Sequence, residues 1–157
     1  AINQFMREGA WQDRDVLIID CPPGTGDEPL SVAQQVPGAD GAVLVTTPQA
    51  VSLLDFKKSA GFVQTLGMPV LGVVENFSGF VCPHCGKQAD LYSPGTGEKV
   101  ADSLHLPFLG RVPITEGLAH SGNTGVPVVQ ESPEDPAAIS FKDMAASISA
   151  DWKPRQD

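Results

Sequence analysis

The chain has 157 residues, of which 41% are hydrophobic, so its length and composition fit one domain with a buried core. Acidic residues outnumber basic ones 19 to 10, and the formal net charge of −9 disfavours nucleic acid as a partner, because a phosphate backbone would be repelled. No apolar run approaches the ~20 residues that a membrane span needs. Three cysteines, two of them close together, suit metal or redox chemistry in a reducing compartment better than a disulfide framework. We therefore expect a cytoplasmic protein that binds neither membranes nor nucleic acid.

The first predicted strand is the apolar run Val16–Ile19, which ends in Asp20. Because polar and apolar residues do not alternate in this run, it is typical of a strand that is covered on both faces. Cys21 follows directly, and we interpret it as a thiol of the core. Three apolar residues before the strand look like the end of a helix: Ile2, Phe5 and Met6. A parallel sheet rarely starts in this way, so we expect further chain upstream.

Three more strands are predicted, at Ala42–Val45, Pro69–Val74 and, more weakly, Pro107–Val112. A helix is predicted after Thr47 and Pro48, which we interpret as its cap and a first-turn proline. Its apolar face consists of four residues before a terminating glycine at position 67: Leu53, Phe56, Ala60 and Val63. Strands that alternate with helices predict an α/β fold with a parallel sheet.

A second helix is predicted near the C-terminus, after the capping box at Ser132–Asp135. Six apolar residues recur there at helical spacing and form its predicted packing face: Ala137, Phe141, Met144, Ala145, Ile148 and Trp152.

The turn after the first strand has the pattern of a nucleotide site. An aspartate at the carboxyl end of a strand, here Asp20, can organise magnesium, and a glycine such as Gly24 lets a backbone N–H approach a γ-phosphate. The alternative is an aspartate that only caps a turn. Pro22–Gly26 is not itself a phosphate-binding P-loop, because Asp27 stands where the lysine should be. Ser93–Val100 fails for a similar reason, so these 157 residues contain no P-loop.

The segment Cys82-Pro83-His84-Cys85-Gly86 is typical of a metal-binding knuckle. One knuckle supplies two ligands, whereas a zinc site or a four-iron cluster needs four. Either His105 or His120 completes the set, or a second copy of the chain does, and we favour the second copy. Two other interpretations remain: the active site of a thioredoxin-like oxidoreductase, which needs a helix at the cysteines, and two incidental loop cysteines.

In this order, the motifs resemble the Mrp (ApbC-like) family of MinD-related P-loop ATPases, which act as iron–sulfur cluster carriers. The resemblance covers nearly the whole chain from Val16 to about Ala146. It is carried by six stretches: VLIIDCPPGTGDE at 16–28, VLVTTPQ at 43–49, GVVENFS at 72–78, CPHCGK at 82–87, GEKV at 97–100 and PFLGRVPI at 107–114.

This resemblance implies roles for individual residues. Asp20 would be the acid that organises magnesium, Gly24 would belong to the switch that senses the γ-phosphate, and Asp27 would belong to the same switch without an assigned role. Asn76 would hydrogen-bond the adenine edge, and Pro113, after the fourth strand, would pack against the base. The last two matching positions, Cys82 and Cys85, would bridge a [4Fe-4S] cluster between two protomers.

The resemblance also implies a MinD-like P-loop NTPase fold, one domain over residues 1–157, with residues 77–95 as a metal-binding insertion. The strand, P-loop and first helix of such a fold would precede Val16, so we expect no ATP hydrolysis by this chain alone. The intact protein would bind ATP and magnesium and deliver the cluster to apo iron–sulfur proteins. The alternatives are a zinc-stapled dimeric binding module with a vestigial nucleotide site and, less favoured, the thiol–disulfide oxidoreductase.

Overall fold

A computed structural model of the protein describes Gln4, Glu8, Gly9 and residues 14–36, 39–93 and 95–151. These residues form, in chain order, α1 (Asp27–Gln35), β1 (Ala42–Thr46), α2 (Ala50–Thr65), β2 (Val70–Val81), β3 (Gln88–Ala89), α3 (Thr96–Ser103), β4 (Phe108–Ile114), α4 (Glu116–Thr124), α5 (Val128–Glu131) and α6 (Pro136–Asp151). No helix of this described part combines the length and apolar character needed to cross a membrane.

The sheet is built around β2, which pairs in parallel with β1 on one side and with β4 on the other. The short strand β3 pairs antiparallel with the far end of β2, where Phe80 faces Ala89 and Val81 faces Gln88. Helices connect the parallel strands, since α2 lies between β1 and β2 and α3 lies between β2 and β4. The predicted α/β class with a parallel sheet is therefore confirmed.

Two apolar clusters cover the two faces of this sheet. Neighbouring residues of a strand point to opposite faces, so Val73 and Val74 of β2 enter different clusters. The first contains six buried residues: Leu44, Phe56, Ala60, Val63, Val73 and Ala101. The second contains four: Val74, Val112, Ala137 and Met144. Three of the four residues predicted for the inner face of α2 are buried, and Leu53 is half-buried.

The predicted strand at Val16–Ile19 is wrong. The structure has no strand between residues 14 and 22, and Ile18 is 87% exposed. The reason is that none of the four described strands pairs with this run, and an apolar run without a ladder partner has no sheet to join. Cys21 is exposed in consequence, which corrects its interpretation as a core thiol.

Several element boundaries also differ from the prediction. β2 continues to Val81, seven residues past Val74, so Asn76 lies inside it and not at its end. β4 contains Pro113, which an edge strand tolerates because β4 pairs only with β2 among the described strands. Helix α2 begins at Ala50 with Gln49 as its N-cap, whereas Thr47 donates its hydroxyl hydrogen to Ser52 Oγ instead of capping.

Helix α6 packs on the sheet along a narrower stripe than predicted. Ala137 and Met144 are buried and Ile148 is half-buried, whereas Phe141 and Ala145 of the predicted face are exposed. The acceptor at its N-terminus is Asp135, whose Oδ1 lies 2.8 Å from the backbone nitrogen of Ala137. Four residues of the predicted helices lie outside the described part of the chain: Ile2, Phe5, Met6 and Trp152.

Candidate functional site

The two neighbouring cysteines lie in the turn of a β-hairpin. Cys82 directly follows β2, and Cys85 comes three residues before β3. The backbone N–H of Cys82 donates to the carbonyl of Lys87 (3.0 Å), and that of Gly86 donates to the carbonyl of Cys82 (2.8 Å). Gly86 has a φ of 68°, a conformation that glycine adopts without strain. These contacts close the turn and present both cysteines on one tight backbone loop.

The turn stabilises a thiolate at Cys82. The backbone N–H groups of His84 and then Cys85 donate to its sulfur, followed by the Cys85 thiol, and together they lower the pKa of Cys82. This is the expected knuckle geometry, in which backbone N–H groups turn back toward sulfur. Neither cysteine is in a disulfide; Cys82 is half-buried and Cys85 is exposed. Neither thiol is therefore blocked by a disulfide, and the lowered pKa favours the thiolate form of Cys82.

The hairpin provides two ligands without a third. Across the described residues, no group of three or more His, Cys, Asp or Glu side chains is placed to hold a metal ion. Among the described residues, neither His105 nor His120 therefore joins the two cysteines in such a group, and the alternative in which one of them completes the site gains no support. His120 instead lies on α4, where its Nε2 is 3.3 Å from Glu131 Oε1. A four-ligand site built on this hairpin would need its other two ligands from outside these groups.

The hairpin also lacks what the oxidoreductase interpretation requires. Cys82 to Gly86 form a turn between two strands, and no helix begins at either cysteine. In thioredoxin-like sites the attacking thiolate is stabilised by a helix N-terminus. Here the pKa of Cys82 is lowered by the N–H groups of His84 and Cys85 and then by the Cys85 thiol, and no helix contributes.

Asn76 and Pro113 lie on neighbouring strands. Asn76 of β2 faces Val112 of β4, the residue before Pro113. Asn76 is half-buried, Pro113 is buried, and the Asn76 side chain accepts a hydrogen bond from the backbone N–H of Phe77 at 2.9 Å. Ligands of open α/β sheets bind at the carboxyl ends of parallel strands. Asn76 lies within β2, one residue past the point where its pairing with β1 ends, and Pro113 is the second-last residue of β4. The contact of these two residues with adenine stays a prediction.

Asp20, Gly24 and Asp27 lie on an exposed segment that precedes β1. Gly24 has a φ of 101°, which favours glycine, and Asp27 is the first residue of α1. A carboxylate in the first turn of a helix is stabilised by the helix dipole, so Asp27 also has a local structural role. The roles of these three residues toward magnesium and the γ-phosphate stay predictions.

The sequence interpretation missed a buried carboxylate next to Asn76. Glu75 is fully buried, and its Oε2 accepts a hydrogen bond from the backbone N–H of Gly97 at 2.5 Å. Its Oε1 lies 3.5 Å from Nε of Arg111, and the Arg111 guanidinium also pairs with Glu98. A charged residue inside an apolar strand was the available signal, because glutamate is almost never fully buried unless it is paired.

The glycines of Ser93–Val100, the segment rejected as a P-loop, have a packing role. A Cβ atom at Gly97 would lie 2.9 Å from Glu75 Oε2 and 3.2 Å from Thr46 Cγ2. Gly95, the N-cap of α3, has a φ of 71°. The start of α3 therefore lies so close to Thr46 of β1 and Glu75 of β2 that a side chain at position 97 would force a neighbouring atom to move.

Comparison with known proteins places these features in a family. Residues 1–149 match a family model described as ParA: NUBPL iron-transfer P-loop NTPase. The iron–sulfur cluster carrier protein of Methanocaldococcus jannaschii is 47% identical over 129 residues, which are 82% of this chain and 44% of that protein. The chain spans about half the length of the curated relatives it matches.

Two solved structures share the fold. A nucleotide-binding protein from Archaeoglobus fulgidus in complex with ADP matches with a TM-score of 0.71 and 34% identity, over 89% of this chain and 57% of that one. The cell division ATPase MinD of Pyrococcus furiosus matches with a TM-score of 0.68 and 25% identity, over 94% and 58%. The predicted MinD-like fold is thereby confirmed, and the chain belongs to the family of ParA-type, NUBPL-like iron-transfer P-loop NTPases.

Proposed function

We propose that this chain is the cluster-holding part of an iron–sulfur cluster carrier. Cys82 and Cys85 of two copies would together bind one [4Fe-4S] cluster, which is the cargo that the protein transfers to apo iron–sulfur proteins. The observation that carries the proposal is the closed hairpin, which offers two free thiols but no third ligand among the described residues. The curated relatives are named iron–sulfur cluster carrier proteins, which supports the same cargo.

A shared site suits a carrier. Two copies related by a two-fold axis supply four thiolates, the ligand set of a [4Fe-4S] cluster. Because each copy holds the cluster by only two bonds, separation of the copies exposes it to the thiolates of a recipient protein. We infer that residues 77–95, which include the hairpin, act as the insertion that carries the site.

In the intact protein, nucleotide would control this exchange. Asp20 would organise magnesium, Gly24 and Asp27 would form the switch near the γ-phosphate, and Asn76 and Pro113 would contact the base. The ADP complex of the related Archaeoglobus fulgidus protein supports a nucleotide site in this fold. We expect no ATP hydrolysis by these 157 residues alone, since they contain no P-loop lysine.

The test is anaerobic reconstitution with iron and sulfide, followed by visible absorption and metal analysis. The proposal predicts a brown dimer with about four iron and four sulfide. Cys82→Ser and Cys85→Ser should each abolish the cluster and the dimer, whereas Cys21→Ser, the matched control outside the hairpin, should retain both. A colourless dimer with about one zinc would favour the zinc-stapled binding module. Retention of iron and dimer by Cys82→Ser would contradict a shared site.

A further inference from the structure

After the cysteine hairpin, the chain contacts a buried carboxylate of β2. Residues after β3 lead to the glycine turn Gly95-Thr96-Gly97, where α3 begins. Glu75 lies beneath this turn with no exposed surface and accepts the Gly97 N–H. A carboxylate that accepts a backbone N–H at a helix N-terminus forms a charge-assisted hydrogen bond, among the stronger ones in proteins.

The second oxygen of the Glu75 carboxylate, Oε1, has an ion-pair partner but no hydrogen bond among the described residues. Among the described residues, Glu75 Oε1 has no hydrogen-bond partner, and Arg111 Nε at 3.5 Å is within ion-pair distance but too far for a hydrogen bond. The Arg111 side chain also reaches Glu98 in the first turn of α3 and stacks over the Phe108 ring, 5.3 Å from its centroid. Arg111 thus connects β4, the buried carboxylate and α3.

Glu75 also adjoins the proposed nucleotide-facing residues. It precedes Asn76 on β2 and faces Thr46, the last residue of β1, in the sheet register. A second contact links the same region to the hairpin segment, since Gln49 Nε2 donates to the hydroxyl of Tyr92 at 2.8 Å. The contacts Gln49–Tyr92 and Glu75–Gly97 therefore join the chain after β3 to the residue that caps α2 and to the middle of β2.

We propose that Glu75 is a positioning residue for the cysteine hairpin, which it acts on by holding the first turn of α3 against the end of β1 and the middle of β2. The chain on both sides of the hairpin is then held in place. The continuous strand β2 holds it before Cys82, and the Glu75–Gly97 contact holds it after β3. This fixes how the two sulfurs face a second copy. The metal-binding part of this inference rests on the proposed function, whereas the effect on backbone motion does not.

The test compares hydrogen exchange and Zn²⁺ affinity in the full chain. Glu75→Ala removes the acceptor, and Glu75→Gln keeps an oxygen that can accept the Gly97 N–H. Gly97→Ala disturbs the same contact from the other partner, in case Glu75→Ala does not fold. Val63→Ala, in the apolar cluster on α2, is the control for a general loss of stability.

In Glu75→Ala and Gly97→Ala, amides of residues 82–99 should exchange about ten-fold faster or more, and Zn²⁺ affinity should fall about ten-fold. Glu75→Gln should stay within about three-fold of the parent chain in both measurements, and Val63→Ala should leave residues 82–99 unchanged. Equal acceleration of these amides in Glu75→Ala and Val63→Ala would overturn the inference. If the parent chain binds no Zn²⁺, the metal-binding part of this inference fails, while the exchange data still decide the role of Glu75 and anaerobic reconstitution with iron and sulfide still decides the proposed function.

Discussion

Glu75 accepts a hydrogen bond from the backbone N–H of Gly97, 22 residues further along the chain, across a contact that no solvent reaches. The cysteine hairpin lies between these two residues in sequence. This buried, charge-assisted contact therefore joins the chain after the hairpin to the middle of β2. Such contacts depend on both partners, because a buried carboxylate that loses its donor retains its full desolvation penalty.

The close approach at Gly97 leads to a stability prediction. Gly97→Ala should lower the free energy of unfolding by ~1–3 kcal/mol, because its Cβ would lie 2.9 Å from Glu75 Oε2. Gly61→Ala in the middle of α2 is the matched control, since a Cβ there meets nothing within 4 Å. It should raise stability by ~0.5–1 kcal/mol through helix propensity. Urea unfolding measures both, and equal effects would contradict the packing described.

The central strand leads to a second prediction. Val73 has no exposed surface, and Val73→Ala should cost ~2 kcal/mol, the transfer free energy of two methyl groups plus a cavity. The same substitution at Val45, 61% exposed on β1, should change stability by less than ~0.5 kcal/mol. Comparable losses at the two positions would show that the core does not lie where β2 places it.

Asp135 connects the starts of two helices. Its Oδ1 accepts from the Ala137 N–H of α6 and from the Thr115 hydroxyl, while Thr115 Oγ1 accepts from the Leu118 N–H of α4. Asp135→Ala should therefore cost ~2 kcal/mol in thermal or urea unfolding, since both caps are weakened. Glu134→Ala, one residue earlier and exposed, should stay within ~0.5 kcal/mol of the parent chain. Loss of the same stability in both variants would refute the shared cap.

The thiols should differ in their pH dependence. Local N–H donors lower the pKa of Cys82, whereas partial burial and then the charge of Asp20 raise that of Cys21. A lower pKa populates the thiolate at lower pH, so Cys82 of the metal-free chain should be alkylated by iodoacetamide at a lower pH than Cys21. Mass spectrometry after a pH series measures both sites. Because Cys21 is exposed and Cys82 is half-buried, their absolute rates also differ in accessibility, so the pH midpoint of each labelling curve is compared. A midpoint for Cys21 at or below that of Cys82 would contradict the hydrogen-bonded turn.

The sequence predicted those structural elements that depend on short-range patterns, and it failed where an element depends on contacts with distant residues. The parallel strands at Ala42–Val45 and Pro69–Val74, the helix after Thr47 and the cysteine turn all rest on short-range patterns, and all are found. The failure at Val16–Ile19 has a different cause, since a strand needs a partner that its own residues cannot supply. Strand lengths failed because Asn76 and Pro113 look like breakers locally but lie within the β2–β4 ladder.

In the candidate site, too, local sequence patterns predicted some features, whereas contacts between distant residues could not be predicted. The turn at Cys82 and Cys85 was recognisable from spacing, whereas the position of His120 beside Glu131 required coordinates. The contact between Glu75 and Gly97 joins residues whose separate signals, a carboxylate in an apolar strand and a glycine-rich turn, have no sequence rule that pairs them. The roles of Asp20, Gly24 and Asp27 still depend on the resemblance.

The most direct test of a shared cluster is native mass spectrometry of the anaerobically reconstituted chain. We predict one species with the mass of two chains plus about four iron and four sulfide, which returns to single metal-free chains when a chelator removes the iron. A single chain that carries the whole metal centre, or a dimer that persists unchanged after the metal is removed, would contradict the account.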